Sequence, residues 1–325
     1  MLYPFDTLLN TVNRELEKLE MPNQPSGLYE PARYALTLGG KRIRPILTLM
    51  ACNLFSSEID KAIAPALGIE IFHNFTLLHD DVMDKAEIRR GKPTVHKVWT
   101  ANHAILSGDA MQIIAYQLIG KSPADTLPEI LSLFSKTALE ICEGQQYDMD
   151  FEQRDDVTEA EYLEMIRLKT AVLLGCALKT GALVAGASAT NCDLIYRFGE
   201  KIGLAFQLKD DLLDTFGNEA VFGKAIGGDI ACNKKTFLWI HAMQKANDQQ
   251  KAELQKWVSL KEFDRAEKVK AVKNIYGEIG VKEICEKKMD TYFGEAMDAL
   301  SAMEVNVLQK SELTHLADQL MKREV

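Results

Sequence analysis

The chain has 325 residues, with 38 Lys and Arg against 47 Asp and Glu, a formal net charge of −9. An acidic excess argues against the attraction to a phosphate backbone on which nucleic-acid binding rests, so no nucleic-acid partner is expected. With 47% hydrophobic and 26% charged residues the chain can bury a core and is not intrinsically disordered.

No apolar run is long and pure enough for a membrane span: the best stretch, Thr170 to Cys192, is broken by Lys179 and rich in Gly and Ala, which reads as a buried helix. The N-terminal Met1-Leu2-Tyr3-Pro4-Phe5-Asp6 lacks the basic and apolar blocks of a signal peptide. Cys52, Cys142, Cys176, Cys192, Cys232 and Cys285 are widely spaced with no Cys-x-x-Cys pair, so a reduced, cytoplasmic setting is the expectation.

Phe5, Leu8, Leu9, Val12, Leu16 and Leu19 recur at helical spacing and predict a helix over 5–19, stopped by the Pro-rich run from Met21 to Gly27. A second helix is predicted from Leu28 to Leu38, ending at Gly39-Gly40, with Lys41-Arg42-Ile43-Arg44-Pro45 opening the next element. Residues 59–83 form a long apolar helix running into an acidic cluster, and 85–93 a basic loop. Further helices are predicted over 95–119, 127–151, 159–187 and 193–216. Four glycines mark 217–235 as a flexible loop, and helices over 237–247, 263–276, 281–303 and 310–322 finish the chain. Strand signals are scarce and no linker interrupts the composition, so the fold class is all-α, in a single domain over 1–325.

Two acidic clusters share one pattern: Asp80-Asp81-Val82-Met83-Asp84 and Asp210-Asp211-Leu212-Leu213-Asp214. On a helix, residues i and i+4 share a face, so Asp80 faces Asp84 and Asp210 faces Asp214. Like charges at that spacing repel, and a cation between them relieves the repulsion. Hard oxygen ligands in small number suit Mg²⁺, which keeps its waters and bridges carboxylates to phosphate oxygens. One such cluster is as readily a solvated helix end; two copies, each after a largely apolar run, point to a cavity. Three basic groups accompany them: Lys41, Arg42 and Arg44 after a double glycine; Arg89 and Arg90 shortly after Asp84; and Lys224, Lys234 and Lys235 in the Gly-rich loop. Taken singly each is a solvated loop, whereas together they describe a site for Mg²⁺ and more than one phosphate group.

In these motifs the chain resembles the trans-isoprenyl diphosphate synthases, or polyprenyl synthetases, of the short-chain farnesyl and geranylgeranyl type. Five motifs occur in the family's order: Gly-Gly-Lys-Arg-Ile-Arg-Pro (39–45), the first aspartate motif with Arg-Arg-Gly-Lys-Pro-Thr (89–94), Gly-Gln-Gln-Tyr-Asp (144–148), Lys-Thr (169–170) and Phe-Gln-Leu-Lys-Asp-Asp-Leu-Leu-Asp (206–214). The resemblance implies a large helical bundle around a deep cavity, a homodimer, and Mg²⁺-dependent head-to-tail condensation of isopentenyl diphosphate with an allylic diphosphate. It further implies that Asp80, Asp84 and Asp210 bind Mg²⁺, three ions with substrate present, with Asp81, Asp211 and Asp214 in support through water. The allylic diphosphate would be held also by Arg89, Lys169 and Lys224, with Gln145, Asp148 and Lys234 near; isopentenyl diphosphate would meet Lys41, Arg44, His73 and Arg90. Phe206 and Gln207 match the aromatic-amide pair where the two sites meet. Lys169 through its backbone, Thr170 and Gln207 would offer oxygen dipoles to an allylic cation kept from water. His73 stands two turns before Asp80; such a lone histidine is more often a satisfied core group, but beside a diphosphate it can donate to it. The adjacency of Lys234 and Lys235 leaves open which of them takes the phosphate role.

Product length is a matter of depth along the helix before Asp80. Phe75 is the first large side chain, Thr76 is small, and the two-residue insertion of many bacterial farnesyl synthases is absent. Family members with one aromatic here commonly stop at twenty carbons and those with two at fifteen, so geranylgeranyl diphosphate is expected, with farnesyl diphosphate next. Phe75 packing against a neighbouring helix is the plainer alternative. Two rival functions are a class I terpene cyclase, whose second motif is not supplied between Asp210 and Glu219, and a non-catalytic subunit of a heteromeric synthase, disfavoured by six intact aspartates.

Overall fold

The computed structural model describes residues 2–217 and 226–322. Along the chain run α1 (Phe5–Glu17), α2 (Ser26–Thr37), α3 (Ile43–Phe55), α4 (Asp60–Met83), the strands β1 (Ile88–Arg89) and β2 (Lys92–Pro93), α5 (Val95–Val98), α6 (Ala101–Ile119), α7 (Leu127–Phe151) and α8 (Glu159–Ile166). A π-helical turn over Arg167–Ala171 leads into α9 (Val172–Val184) and α10 (Ala189–Phe216), followed by α11 (Gly228–Ala231), α12 (Phe237–Lys245), α13 (Asp248–Ser259), α14 (Arg265–Ile279), α15 (Val281–Ala302) and α16 (Val307–Met321). The protein is nearly all helical, as its sequence pattern predicts.

The chain divides into two compact units, the first made of Met1–Ser135, Cys176–Ile195 and Glu304–Glu312, the second of Lys136–Gly175, Tyr196–Met303 and Leu313–Val325. In the first unit α4 is the centrepiece. Its residues from Pro65 to Phe72 are all buried, apolar apart from Glu70, and α2, α3 and α6 pack around it. In the second unit the core gathers Phe151, Tyr162, Leu208, Leu212, Phe237 and Tyr276, drawn from α7, α8, α10, α12 and α14.

Four local departures from the sequence expectation have identifiable causes. The helix predicted over 95–119 is broken at Thr100, whose extended backbone lets its hydroxyl accept the His103 N–H and start α6 afresh. The helix over 159–187 carries the π turn, in which Val172 N–H bonds the Arg167 carbonyl five residues back. Helix α13 is absent from the sequence reading because its Asp248–Ser259 stretch is strongly polar, yet Asn247 and Gln250 form a reciprocal capping box at its start. Within the predicted loop 217–235, Gly228–Ala231 makes one helical turn.

Glycine explains where Lys169 and Thr170 stand. A Cβ on Gly144 of α7 would lie 2.4 Å from the Lys169 nitrogen, and one on Gly203 of α10 would lie 2.6 Å from Ala171 Cα, so the two helices press on the π turn with bare backbone. Gly144→Ala should force that packing apart, at a cost of about 1–3 kcal/mol. Urea denaturation is the measurement, and an unchanged midpoint would show that the π turn is not held this way.

Candidate active site

The first acidic cluster closes α4. Asp84 is the C-cap residue, and its N–H donates to Asp80 O at 2.8 Å. A helix C-terminus carries partial negative charge and ordinarily attracts Lys or Arg, so three aspartates there create a field that calls for a cation. Asp210, Asp211 and Asp214 repeat the placement in the last two turns of α10. The middle residue of the first cluster is held differently from its neighbours. Asp81 is only 4% exposed, and Arg89 Nε donates to its two oxygens at 2.9 and 2.8 Å while Nη2 lies 2.8 Å from Oδ1. Asp80 is half-buried and Asp84 exposed.

The basic loop 85–93 contains a two-residue hairpin turn. Strands β1 and β2 pair Ile88 with Pro93 and Arg89 with Lys92, leaving Arg90 and Gly91 at the tip with φ of 52° and 76°. Consecutive arginines therefore diverge: Arg89 meets Asp81, whereas Arg90 donates through Nη1 to the Gly39 carbonyl. Gly40, at φ 139°, lies against that guanidinium, and a Cβ there would stand 2.7 Å from Arg90 Nη1. The double glycine thus provides both an unusual backbone turn and room for an arginine. Arg42, grouped with Lys41 and Arg44 by sequence, is withdrawn from them. It is buried, with Nη1 2.7 Å from Glu70 Oε1 and Nη2 donating to Leu36 O at 2.7 Å.

Arg44 and His73 meet, Arg44 Nη1 lying 3.1 Å from His73 Nε2. Arginine only donates, so His73 accepts at Nε2 and, neutral, carries its proton on Nδ1. Burial followed by the nearby Arg44, Arg90, Arg89 and Arg42 holds the imidazole well below its ordinary 6.5. Burial likewise pulls Arg44 down to about 10, with Glu70 opposing the shift and Arg90 adding to it. Arg44 Nε is buried without a hydrogen-bond partner among the described residues. Lys41, three residues before Arg44, is exposed.

Before Asp80, Phe75 is 8% exposed and its ring makes edge contacts with Phe72 at 5.3 Å and His79 at 4.7 Å. Phe72 continues the array to Phe134 at 5.1 Å. Thr76 turns its hydroxyl back to the His73 carbonyl at 2.8 Å.

The second unit encloses a cavity of about 130 Å³ lined by Asp148, Tyr162, Lys169, Thr170, Gln207, Asp211, Asp229 and Lys234, among others. Lys169 Nζ and Lys234 Nζ both reach Asp148 Oδ2, at 2.6 and 3.2 Å. Burial alone would raise Asp148, but the two ammonium groups hold it below the ordinary carboxylate range. Lys235 goes elsewhere, to Asp155 at 2.9 Å and over the Trp239 ring at 5.1 Å. Asp214 accepts the N–H groups of Gly228 at 3.2 Å and Asp229 at 2.9 Å at the start of α11. Asp211 is 3% exposed; Tyr162 OH donates to its Oδ2 and Gln207 Nε2 to its Oδ1 at 3.3 Å. Thr170 Oγ1 in turn donates to Gln207 Oε1 at 3.2 Å. Gln145 and Phe206 are half-buried in this unit, and Lys224 lies outside the described residues.

Two residues in the cavity wall, Tyr162 and Asp229, were not singled out from sequence. Burial, then Asp214, pushes the Asp229 carboxyl up to about 7. The signal for Asp229 was its place after Gly227-Gly228; Tyr162 had none beyond an apolar helical spacing. Among the described residues no three His, Cys, Asp or Glu gather into a closed metal cage. Paired carboxylates in the last turns of two helices still fit Mg²⁺, which takes one or two protein carboxylates and completes its shell with water and phosphate oxygens.

The His73 shift has a testable sign. The unfolded chain takes up a proton near pH 6.5 that the buried imidazole refuses, so stability should fall as the pH drops below 6.5, by up to about 1.4 kcal/mol per pH unit. Urea midpoints between pH 7 and pH 5 should fall less steeply in His73→Asn, and equal slopes would mean that His73 is not held neutral.

A sequence profile described as Polyprenyl synthetase matches residues 25–276. A geranylgeranyl diphosphate synthase of Methanosarcina mazei is 36% identical over 320 residues, covering 96% of this chain and 95% of that protein. A geranylfarnesyl diphosphate synthase of Natronomonas pharaonis is 38% identical and covers 73% of this chain and 75% of its own length. A crystal structure of a geranylgeranyl pyrophosphate synthase superposes with a TM-score of 0.95 at 43% identity, over 99% of this chain and 100% of that one. By these likenesses the chain belongs to the polyprenyl synthetase family and is a prenyltransferase.

Proposed function

We propose that the chain carries out the Mg²⁺-dependent head-to-tail (1'-4) condensation of isopentenyl diphosphate with allylic diphosphates, with geranylgeranyl diphosphate as the main product and farnesyl diphosphate next. The observation that carries this reading is the Arg44, His73 and Arg90 group, where cations crowd one another and a guanidinium N–H is buried without a partner. Such an arrangement is costly when empty and is relieved by a polyanion. With Lys41 it is the metal-free site for isopentenyl diphosphate. Asp80, Asp84 and Asp210 hold Mg²⁺, three ions with substrate bound, and Asp81 and Asp214 brace the two clusters. Mg²⁺, when bound, neutralises charge on the departing pyrophosphate.

The chain's own residues do the rest. Arg89, Lys169 and Lys234 grip the allylic diphosphate; Asp148 gathers the two lysine ammonium groups on one oxygen. Lys234 is preferred over Lys235 because it shares Asp148 with Lys169, whereas Lys235 is tied to Asp155. Oxygens of Thr170 and Gln207, and the Lys169 backbone, face the developing allylic cation without acting as nucleophiles. The double bond of isopentenyl diphosphate attacks that carbon, and the proton it loses passes to pyrophosphate. Both compact units belong to one catalytic domain, a reading supported by the family profile running through both.

Incubation with labelled isopentenyl diphosphate and dimethylallyl, geranyl or farnesyl diphosphate should give elongated product with Mg²⁺ and none with EDTA. Asp80→Ala and Asp210→Ala should each lower kcat at least about a hundredfold while circular dichroism stays helical. Phe75→Ala should lengthen the product past twenty carbons, and an unchanged chromatogram would remove Phe75 as the limit. No elongation from any primer by the wild-type chain would sink the whole reading.

The apolar face that α6 leaves open, with Ile105, Leu106 and Ile113 at 43%, 60% and 61% exposure, supports a homodimer in which a second copy covers it. Sedimentation equilibrium should return twice the chain mass of 36.4 kDa, and a monomer mass would count against the dimer. No helix among the described residues is long and apolar enough to cross a membrane. Six free cysteines, four of them buried, support a reducing, cytoplasmic setting.

A further inference from the structure

Both oxygens of the second aspartate of the α10 cluster are engaged by protein donors. Asp211 is 3% exposed, its Oδ2 takes the Tyr162 hydroxyl and its Oδ1 takes the Gln207 amide N–H. A buried carboxyl group that takes a protein donor on each oxygen is a good anchor for what donates to it. What donates to it is Gln207, whose other amide atom, Oε1, accepts the Thr170 hydroxyl at 3.2 Å. The four side chains form one directed series: Tyr162 OH to Asp211, Gln207 Nε2 to Asp211, and Thr170 Oγ1 to Gln207 Oε1.

Direction is the point of this series. A glutamine amide fits a given slot in two orientations that exchange oxygen and nitrogen, and its hydrogen-bond partners decide between them. With Oδ2 taken by the Tyr162 hydroxyl, Oδ1 takes the amide N–H of Nε2, and Oε1 is left to face Thr170. The reversed amide would present N–H dipoles to the same cavity wall, where a positively charged intermediate gains nothing from them. Tyr162 fixes the anchor in turn. Tyr162 is 3% exposed, and its hydroxyl donates to Asp211 Oδ2 across the packed helices.

We propose that Tyr162 and Asp211 are a positioning pair that sets the polarity of the Gln207 amide, and through it the Thr170 hydroxyl, toward the allylic carbon. This inference rests on the prenyl-elongation reading and replaces the expected water-mediated metal support by Asp211. It also gives Tyr162 a reason to be a tyrosine: phenylalanine would fill the same buried volume but would leave Asp211 Oδ2 without its donor.

Steady-state elongation by the wild type, Tyr162→Phe, Gln207→Leu and the double variant tests it, since residues acting through one group are non-additive. Tyr162→Phe should lower kcat about tenfold, the loss of one charge-assisted hydrogen bond, with the KM for the allylic diphosphate unchanged. In the Gln207→Leu background the same change should cost less than twofold. A second readout needs no turnover: the rise in Tm produced by Mg²⁺ with inorganic pyrophosphate should persist in Tyr162→Phe and Asp211→Asn and be lost in Asp210→Ala. Additive kcat losses, or a Tm rise abolished by Asp211→Asn, would overturn the positioning role. A wild type that elongates no primer overturns the elongation reading and this inference with it, whereas an active wild type with additive variants overturns this inference alone.

Discussion

The structure depends on keeping like charges close together without letting them collapse onto their nearest opposite. Three aspartates end α4 and three more end α10, where the helix dipole already makes the potential negative. Burial, with arginines crowded around it, holds the His73 imidazole neutral. Both arrangements oppose folding, and the protein tolerates them by tying down selected members of each cluster. Asp81 is fixed by Arg89, Asp211 by Tyr162 and Gln207, and Arg42 by Glu70. Each tie fixes one member of a cluster to a partner of opposite or complementary character.

Packing supplies the rigidity that such a division of labour needs. Helix α4 is buried on every side through its middle turns and is exposed at its two ends, at Asp60 and at Met83. The π turn at Arg167–Ala171 is pressed by bare backbone at Gly144 and Gly203, so Lys169 and Thr170 sit on a fixed irregularity, not on a free loop. Lysine ammonium groups that would otherwise wander are gathered on Asp148.

Much of this was legible from residue patterns, and for definite reasons. Helical periodicity recovered most elements, and the repeated Asp-Asp-x-x-Asp spacing located both clusters, because i and i+4 positions share a face in any helix. Chain breaks were less visible. Thr100 stops one apolar run by capping the next helix, and the polar Asp248–Ser259 stretch folds as a helix because Asn247 and Gln250 cap it, signals that apolar spacing passes over. Adjacent basic residues were also hard to separate: Arg42 and Arg44, Arg89 and Arg90, and Lys234 and Lys235 look alike in a motif, yet each pair diverges in space.

By itself, then, the sequence determined the helical class, the two acidic clusters and the family resemblance, since all three follow from local spacing and residue chemistry. The tertiary structure alone decided which partner anchors Asp81, Asp211, Arg42 and Lys234. That depends on partners distant in the chain: Arg42 with Glu70, Tyr162 with Asp211 and Lys234 with Asp148 are 28, 49 and 86 residues apart. A hydrogen bond needs two groups within about 3 Å of each other, and only the packed helices bring such residues that close.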